Sequence, residues 1–278
     1  MLPLRDHFEL SFKQEELVVS STVLSAFFAS LAGGPINTTL GRRLTIIIAA
    51  AIFTFGTTIL GLAWDYHSLL FGRVVLGLGV GLASLTTPLY IAEVALPSKR
   101  GKLVTLNIVL VVVGQFCAGM VDGILSGVEE GWRFMLGLAI IPSMLMFIGF
   151  ITCLPESPRW LVVAGRTEEA RSVLREIRYA DEDADSEVSD ILKNAEAVAA
   201  IEMAIVSYER SRLGMDGSKQ PNKFWTLFYR IRNMFSYAPT RRAMVLGCGL
   251  MLLQQLVGIN TVMYYAASIY EMSGFDGM

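Results

Sequence analysis

Six stretches of this 278-residue chain are each long and apolar enough to cross a bilayer. A hydrocarbon core about 30 Å thick takes about 20 mainly apolar residues of helix. The stretches run approximately Leu17–Leu40, Leu44–Trp64, Leu69–Ala92, Leu103–Val121, Phe134–Leu154 and Ala243–Tyr270, and apart from Arg73 in the third they contain no Asp, Glu, Lys or Arg. Buried strands also read as apolar runs, but those are usually about four to eight residues long. The expected fold class is therefore an all-α membrane protein with six transmembrane helices.

Charge is sparse, at 17% of residues, and more than half of it falls between Glu156 and Arg242. Residues 155–242 are too long for a turn and too polar for lipid, so they read as a linker of short helices. Thr167 is a candidate N-cap, and Ala170, Val173, Leu174 and Ile177 form an i, i+3, i+4, i+7 stripe. Arg175 and Arg178 sit at the helix end that favours cations. A second stripe, Val188, Ile191, Ala195, Val198 and Ile205, follows the acidic run Asp181–Asp190, which reads as a solvated connection rather than a metal site. Gly214–Pro221 reads as loop and Phe224–Phe235 as a basic, aromatic helix.

Short loops with Lys and Arg stay on the cytoplasmic side. The first loop has Arg42 and Arg43, the third Lys99, Arg100 and Lys102, and the linker 14 of the 23 basic residues, whereas the second loop has none and the fourth has Glu129 and Glu130. The alternation puts the linker in the cytoplasm and both ends of the chain outside. Because no signal peptide precedes Leu17, this orientation leads us to expect a further helix upstream.

A net charge of −2 leaves no basic surface to displace counterions from nucleic acid. Cys117, Cys153 and Cys248 match no zinc or disulfide pattern and read as small apolar fillers. Neither a phosphate-binding loop nor a catalytic triad or acid pair is present, so no cofactor and no enzyme activity are expected.

Several short patterns lie at helix ends in a telling order. They are Gly41-Arg42-Arg43, Gly72-Arg73, Pro88-Leu89-Tyr90-Ile91-Ala92-Glu93 leading to Arg100-Gly101, Gly131-Trp132-Arg133, Pro155-Glu156-Ser157-Pro158-Arg159-Trp160, and Gln254-Gln255 through Gly258 and Asn260 to Tyr264-Tyr265. Together they resemble the sugar-porter branch of the major facilitator superfamily, and most closely its proton/myo-inositol cotransporters. That family has twelve helices in two halves around a midplane site, and this chain resembles helices two to seven. The resemblance implies a partial bundle: residues 1–154 as five spans of the N-terminal half, 155–242 as the cytoplasmic helical linker, and 243–278 as the first helix of the C-terminal half. It implies proton-coupled uptake of myo-inositol or a related polyol by alternating access, with a truncated, transport-inactive membrane protein or a facilitative hexose carrier fragment as the alternatives. The partners implied are a small polyol or sugar, protons, the lipid bilayer, expected to be the plasma membrane, and the remaining transmembrane helices of a complete carrier.

Amides both donate to and accept from hydroxyls, which suits a neutral polyol. Gln254, Gln255, Asn260 and Tyr264 are the candidate substrate contacts. They can line one cavity only if the helix is broken, and Gly258 lies where the break is needed. Gln115 matches a sugar-contacting glutamine of the family. Asn107 is either a further contact or an amide bonded to a neighbouring helix, and beside it Ile108 stands where many sugar porters have glutamine. Arg73 either snorkels toward the interface or, as the resemblance implies, couples protons by pairing with an acid of the family's first helix, expected upstream of Met1; an arginine at the centre of a span costs about 2.5–3.5 kcal/mol. Arg42, Arg43, Glu93, Arg100, Glu156, Arg159, Arg241 and Arg242 resemble the ion-pair network that closes the family's cytoplasmic gate, although Arg42 and Arg43 also serve topology and lipid binding. The acid expected three positions before Gly41 is Thr38.

Overall fold

A computed structural model of the chain describes residues 8, 11–125, 128, 130–178, 184–212 and 238–258. Its helices are α1 (Phe12–Leu40), α2 (Arg42–Gly61), α3 (Tyr66–Val94), α4 (Arg100–Leu125), α5 (Gly131–Gly137), α6 (Ile140–Thr152), α7 (Pro158–Val163), α8 (Thr167–Ile177), α9 (Ala184–Arg212) and α10 (Ala238–Leu256). Five segments are long and apolar enough to span a membrane: α1, α2, α3, α4, and α5 with α6 as Gly131–Thr152. The sixth expected span is described only through α10 to Gly258. The chain divides within α9 into two compact units, Pro3–Ala199 and Ala200–Met278.

Helix starts lie outside the apolar runs because polar side chains make them. Ser11 donates its N–H to Gln14 Oε1 at 2.9 Å and opens α1. Asp65 accepts the Ser68 N–H at 2.9 Å while Ser68 Oγ accepts from Asp65 N, so α3 begins at Tyr66, ahead of the apolar run. Those bonds to Ser68 hold the Asp65 carboxyl below its ordinary pKa. The fifth span is not one continuous helix. Pro142 has no N–H for the Leu138 carbonyl, which accepts from Ile141 N at 3.1 Å instead, and a turn at Leu138–Ala139 separates α5 from α6.

In the first unit α3 lies between α1 and α2, and α2 also packs along α5 and α6. Glycines set these approaches. A Cβ at Gly77 would run into Ser25 Oγ and the Thr22 carbonyl, and one at Gly81 into the Ala26 carbonyl, both on α1; a Cβ at Gly79 would lie 2.8 Å from Phe53 N and 2.9 Å from Ala49 O on α2. In lipid, where apolar surface alone gives helices little reason to associate, such backbone proximity is a main source of packing energy. We expect Gly77→Ala to lower stability by about 1–3 kcal/mol through overpacking. Gly119→Ala on α4, where a Cβ meets nothing within 4 Å, should be neutral or slightly stabilising. Thermal unfolding in detergent distinguishes the two.

α4 buries no residue, and Leu106, Val109, Leu110, Val113 and Phe116 present an apolar surface that bilayer or protein must cover. The described part of the linker forms its own small core: Leu161 and Val162 of α7, Ala170 and Leu174 of α8 and Val188 of α9. The first stripe read from the sequence thus faces inward, with Val173 and Ile177 half-buried beside it. Two details differ from expectation. Thr167 is the first helical residue rather than a cap, and α9 starts inside the acidic run, with Asp185 and Glu187 in its first turn where the helix dipole favours them. In the second stripe Ile191 packs against the core, whereas Val198 is exposed. Gly214–Pro221 and Phe224–Phe235 lie outside the described residues.

Candidate functional site

Only Gly41 separates α1 from α2, so the first N–H groups of α2 emerge with no helical carbonyl to receive them. Glu156, from the segment after α6, receives them. Its Oε1 accepts from Arg42 N at 2.9 Å, Arg43 N at 3.0 Å and Ser157 N at 2.8 Å. A carboxylate against a helix N-terminus is favoured by both the free donors and the dipole.

The side chains of the same two arginines turn to other elements. Arg42 pairs with Glu93 at the end of α3, Nε to Oε2 at 2.8 Å and Nη2 to Oε1 at 2.9 Å, and its Nη1 donates to the Asn37 carbonyl at 3.0 Å. The pair is nearly dry, with the two side chains 13% and 4% exposed. Arg43 donates to the last carbonyls of α6, Phe150 at 2.8 Å and Ile151 at 2.7 Å. Ser157 is fully buried, and its Oγ donates to Glu93 Oε2 at 2.6 Å. Tyr90 donates to the Pro155 carbonyl at 2.8 Å and stacks edge-on against Phe150. The arrangement joins α1, α2, α3, α6 and α7 at one end of the bundle.

Arginines that close helix C-termini recur. Arg178, with its side chain 3% exposed, is held by both oxygens of Glu187 at 2.8 Å and donates to the Val94 carbonyl at the end of α3 at 2.8 Å. At the other end of the bundle Arg133 donates to the carbonyls of Gly61, the last residue of α2, and Ala63 beyond it, at 3.3 and 2.9 Å, with its guanidinium over the ring of buried Trp132. None of α1, α2, α3 and α6 has a basic residue in its own last turn. The cations these C-termini favour are supplied from elsewhere in the chain.

The other sequence-derived candidates stand apart from this cluster. Arg100 and Arg159 are exposed and make no ion pair among the described residues. Arg241 and Arg242 are exposed on α10, in the second unit. Thr38 does not use its side chain where an acid was expected: its carbonyl accepts from Trp160 Nε1 at 3.0 Å and its hydroxyl turns back to Pro35. Arg73 is half-buried on α3, seven residues or about 10 Å beyond the start of that helix. Asn107 is half-buried and lines a largely apolar cavity of about 410 Å³ between the end of α3, α4 and α8, together with Tyr90, Val94, Lys99 and Leu103. Gln115, further along α4, is exposed. Gln254 and Gln255 are exposed on α10, which ends at Leu256; Gly258 then adopts φ +73°, where the sequence placed a break. Asn260 and Tyr264 lie outside the described residues. Ser157, Asn37, Arg178 and Glu187 were not singled out as site residues from sequence, although Ser157-Pro158 carries the signature of a helix start.

The same architecture occurs in known proteins. The chain is 44% identical over 277 residues to the human proton myo-inositol cotransporter, covering 99% of this chain and 39% of that protein. It is 38% identical to the Arabidopsis thaliana probable inositol transporter 2, over 99% of this chain and 44% of that one, and 36% identical to the arabinose-proton symporter of Escherichia coli K12, over 98% and 51%. The chain thus spans about two-fifths to half of the curated relatives it matches. Among solved structures, the major facilitator superfamily proton:xylose symporter XylE bound to 6-bromo-6-deoxy-D-glucose superposes with a TM-score of 0.75 at 25% identity, over 99% of this chain and 58% of that one. The fold is accordingly a partial major facilitator bundle in a multi-pass membrane protein, and it is a carrier fold, not an enzyme. Residues 6–278 match the family described as Sugar (and other) transporter, and the chain belongs to that family.

Proposed function

We propose that the natural protein is a secondary active transporter that takes up myo-inositol or a related polyol with protons by alternating access. The observation that carries this reading is the 44% identity, sustained over 277 residues, to a human protein named as a proton myo-inositol cotransporter. The amide-rich set Gln254, Gln255 and Asn260, with Tyr264, Gln115 and Asn107, supplies donors and acceptors for a ring of hydroxyls. Arg73 serves proton coupling. Residues 1–154 form part of one rocking half, 155–242 the cytoplasmic linker and 243–278 the first helix of the other half, in the plasma membrane. The Arg42–Glu93 pair and Glu156, with Arg43, Arg100, Arg159, Arg241 and Arg242, form the cytoplasmic gate: charges held this tightly on α2, α3 and the linker start must separate before a path opens between halves.

Uptake of labelled myo-inositol by cells expressing the natural full-length protein, with and without an inward proton gradient, tests the reading. Uptake that rises with the gradient and is abolished by a protonophore is expected. Gln254, Gln255 and Asn260 changed together to alanine should cost at least about tenfold, since each amide hydrogen bond to a hydroxyl contributes about 0.5–1.5 kcal/mol. Undiminished uptake in that triple variant defeats the site assignment. A second reading rests on the 36% identity to an arabinose-proton symporter: arabinose or xylose outcompeting myo-inositol would move the substrate from cyclitol to pentose.

A further inference from the structure

Ser157 is fully buried and touches both carboxylates of the cluster through different atoms. Its N–H donates to Glu156 Oε1 at 2.8 Å, and its Oγ donates to Glu93 Oε2 at 2.6 Å. The same Oγ accepts the Trp160 N–H at 3.3 Å and so caps α7, the first helix of the linker. Glu93 Oε2 is also the oxygen that Arg42 Nε meets at 2.8 Å. One hydroxyl therefore ties the start of α7 to the oxygen through which α2 and α3 are paired. Next along α3, the Val94 carbonyl receives Arg178 from the end of α8, so two linker elements converge on consecutive residues of one transmembrane helix.

We propose that Ser157 is a positioning residue for the gate: its hydroxyl makes the Arg42–Glu93 pairing and the docking of α7 a single event, so that the pair opens when the linker leaves and closes when it returns. This rests on the reading of the cluster as a gate. Without the hydroxyl, Glu93 keeps Arg42 but loses its tie to α7, and the pair no longer reports where the linker sits.

The test uses the natural full-length protein with its native cysteines, Cys117, Cys153 and Cys248 among them, replaced by serine and one cysteine engineered on the cytoplasmic side of the substrate path, with its labelling rate read by an impermeant maleimide in inside-out vesicles. Glycine is the informative replacement at 157, because an N-cap tolerates it nearly as well as serine, so it spares α7 while deleting the link. Ser157→Gly should raise the labelling rate about tenfold, as expected for loss of a hydrogen bond to a charged group of about 1.5 kcal/mol. Ser157→Thr, which keeps the hydroxyl, should restore the parental rate. In a Glu93→Gln background, the further effect of Ser157→Gly should shrink to less than about twofold, as coupling within one network requires.

An unchanged rate in Ser157→Gly while Glu93→Gln raises labelling overturns the role of Ser157 and leaves the gate intact. Unchanged rates in both overturn the gate itself. Equal rises in the glycine and threonine variants mean that packing matters rather than the hydroxyl, and also overturn the proposal. If Ser157→Gly does not reach the membrane, Ser157→Ala, which has no side-chain donor, is read against Ser157→Thr in the same assay with the same outcomes.

Discussion

Gly41→Ala should destabilise the Arg42 end of the bundle and, with it, impair transport, because an added methyl there meets both backbone strain and a fixed carboxylate. Gly41 has φ +92° and ψ +169°, a region essentially reserved for glycine, where another residue costs about 1–3 kcal/mol. The added Cβ would also stand 2.5 Å from Glu156 Oε2, 2.9 Å from its carboxyl carbon and 3.3 Å from Trp160 Cδ2. A carboxylate at the end of a flexible side chain can ordinarily swing aside. This one is held by the N–H groups of Arg42, Arg43 and Ser157, and moving it forfeits charge-assisted bonds worth about 1.5–3 kcal/mol each. Even partial loss added to the backbone strain should lower the thermal midpoint in detergent by about 10 °C, at about 2–4 °C per kcal/mol for a unit of this size. A midpoint within a degree or two of the parent would show that Glu156 is not fixed as described. Gly114→Ala, where a Cβ meets nothing within 4 Å, serves as the control.

The glycine also shows what could be read from the residues and what could not. The spans were legible because lipid imposes one test, length of apolar run, and leucine- and valine-rich runs pass it in any tertiary context. Where helices begin was less legible: Asp65 and Ser68 start α3 with polar side chains that a hydropathy reading assigns to the loop. The break at Leu138–Ala139 had its cause in plain view at Pro142, but a proline inside a membrane helix is often absorbed without a turn.

In the site, sequence and resemblance gave the identity of the charged residues but not their geometry. Glu156 looked like a partner for an arginine side chain, and it binds backbone N–H groups of α2 instead, because charge is written in the sequence and the direction of a helix N-terminus is not. Arg178 was placed at a helix end that favours cations, correctly in kind, but the carbonyl it closes belongs to α3 and not to its own helix. Asn37 carries no charge and gave no chemical signal, and Ser157 signalled only a helix start; the buried Asn37 donates to Thr86 Oγ1 at 3.0 Å while its backbone carbonyl accepts from Arg42. Non-local partners of this kind emerge only when the helices are in place.

Arg42→Ala should be the most damaging change to a charged side chain. Glu93 would remain with its side chain 4% exposed and Ser157 Oγ as its described hydrogen-bond donor, and an ion left unpaired in such surroundings costs about 3–5 kcal/mol. Glu93→Gln should be milder, since the amide oxygen still accepts from Ser157 and Arg42 keeps the Asn37 carbonyl with greater access to water. The informative variant replaces both partners by apolar residues of similar volume, Arg42→Met with Glu93→Leu. Removing a buried pair together relieves the desolvation cost of both ions but leaves the buried Ser157 hydroxyl and Asn37 carbonyl without these partners, so stability should recover from that of Arg42→Ala to within about 2–3 kcal/mol of the parent. Transport should not return with it. A gate must exchange one set of partners for another during each cycle, and a pair of methylene chains holds the end of α3 against α2 without any charge that a competing site could draw away. The double variant should therefore unfold well above Arg42→Ala and take up substrate at under about a tenth of the parental rate, given that one decade corresponds to only about 1.4 kcal/mol of altered balance between states. Parental uptake in a stable double variant would reduce Arg42 and Glu93 to a structural staple. Poor uptake with recovered stability would separate what the pair does for the fold from what it does for the cycle.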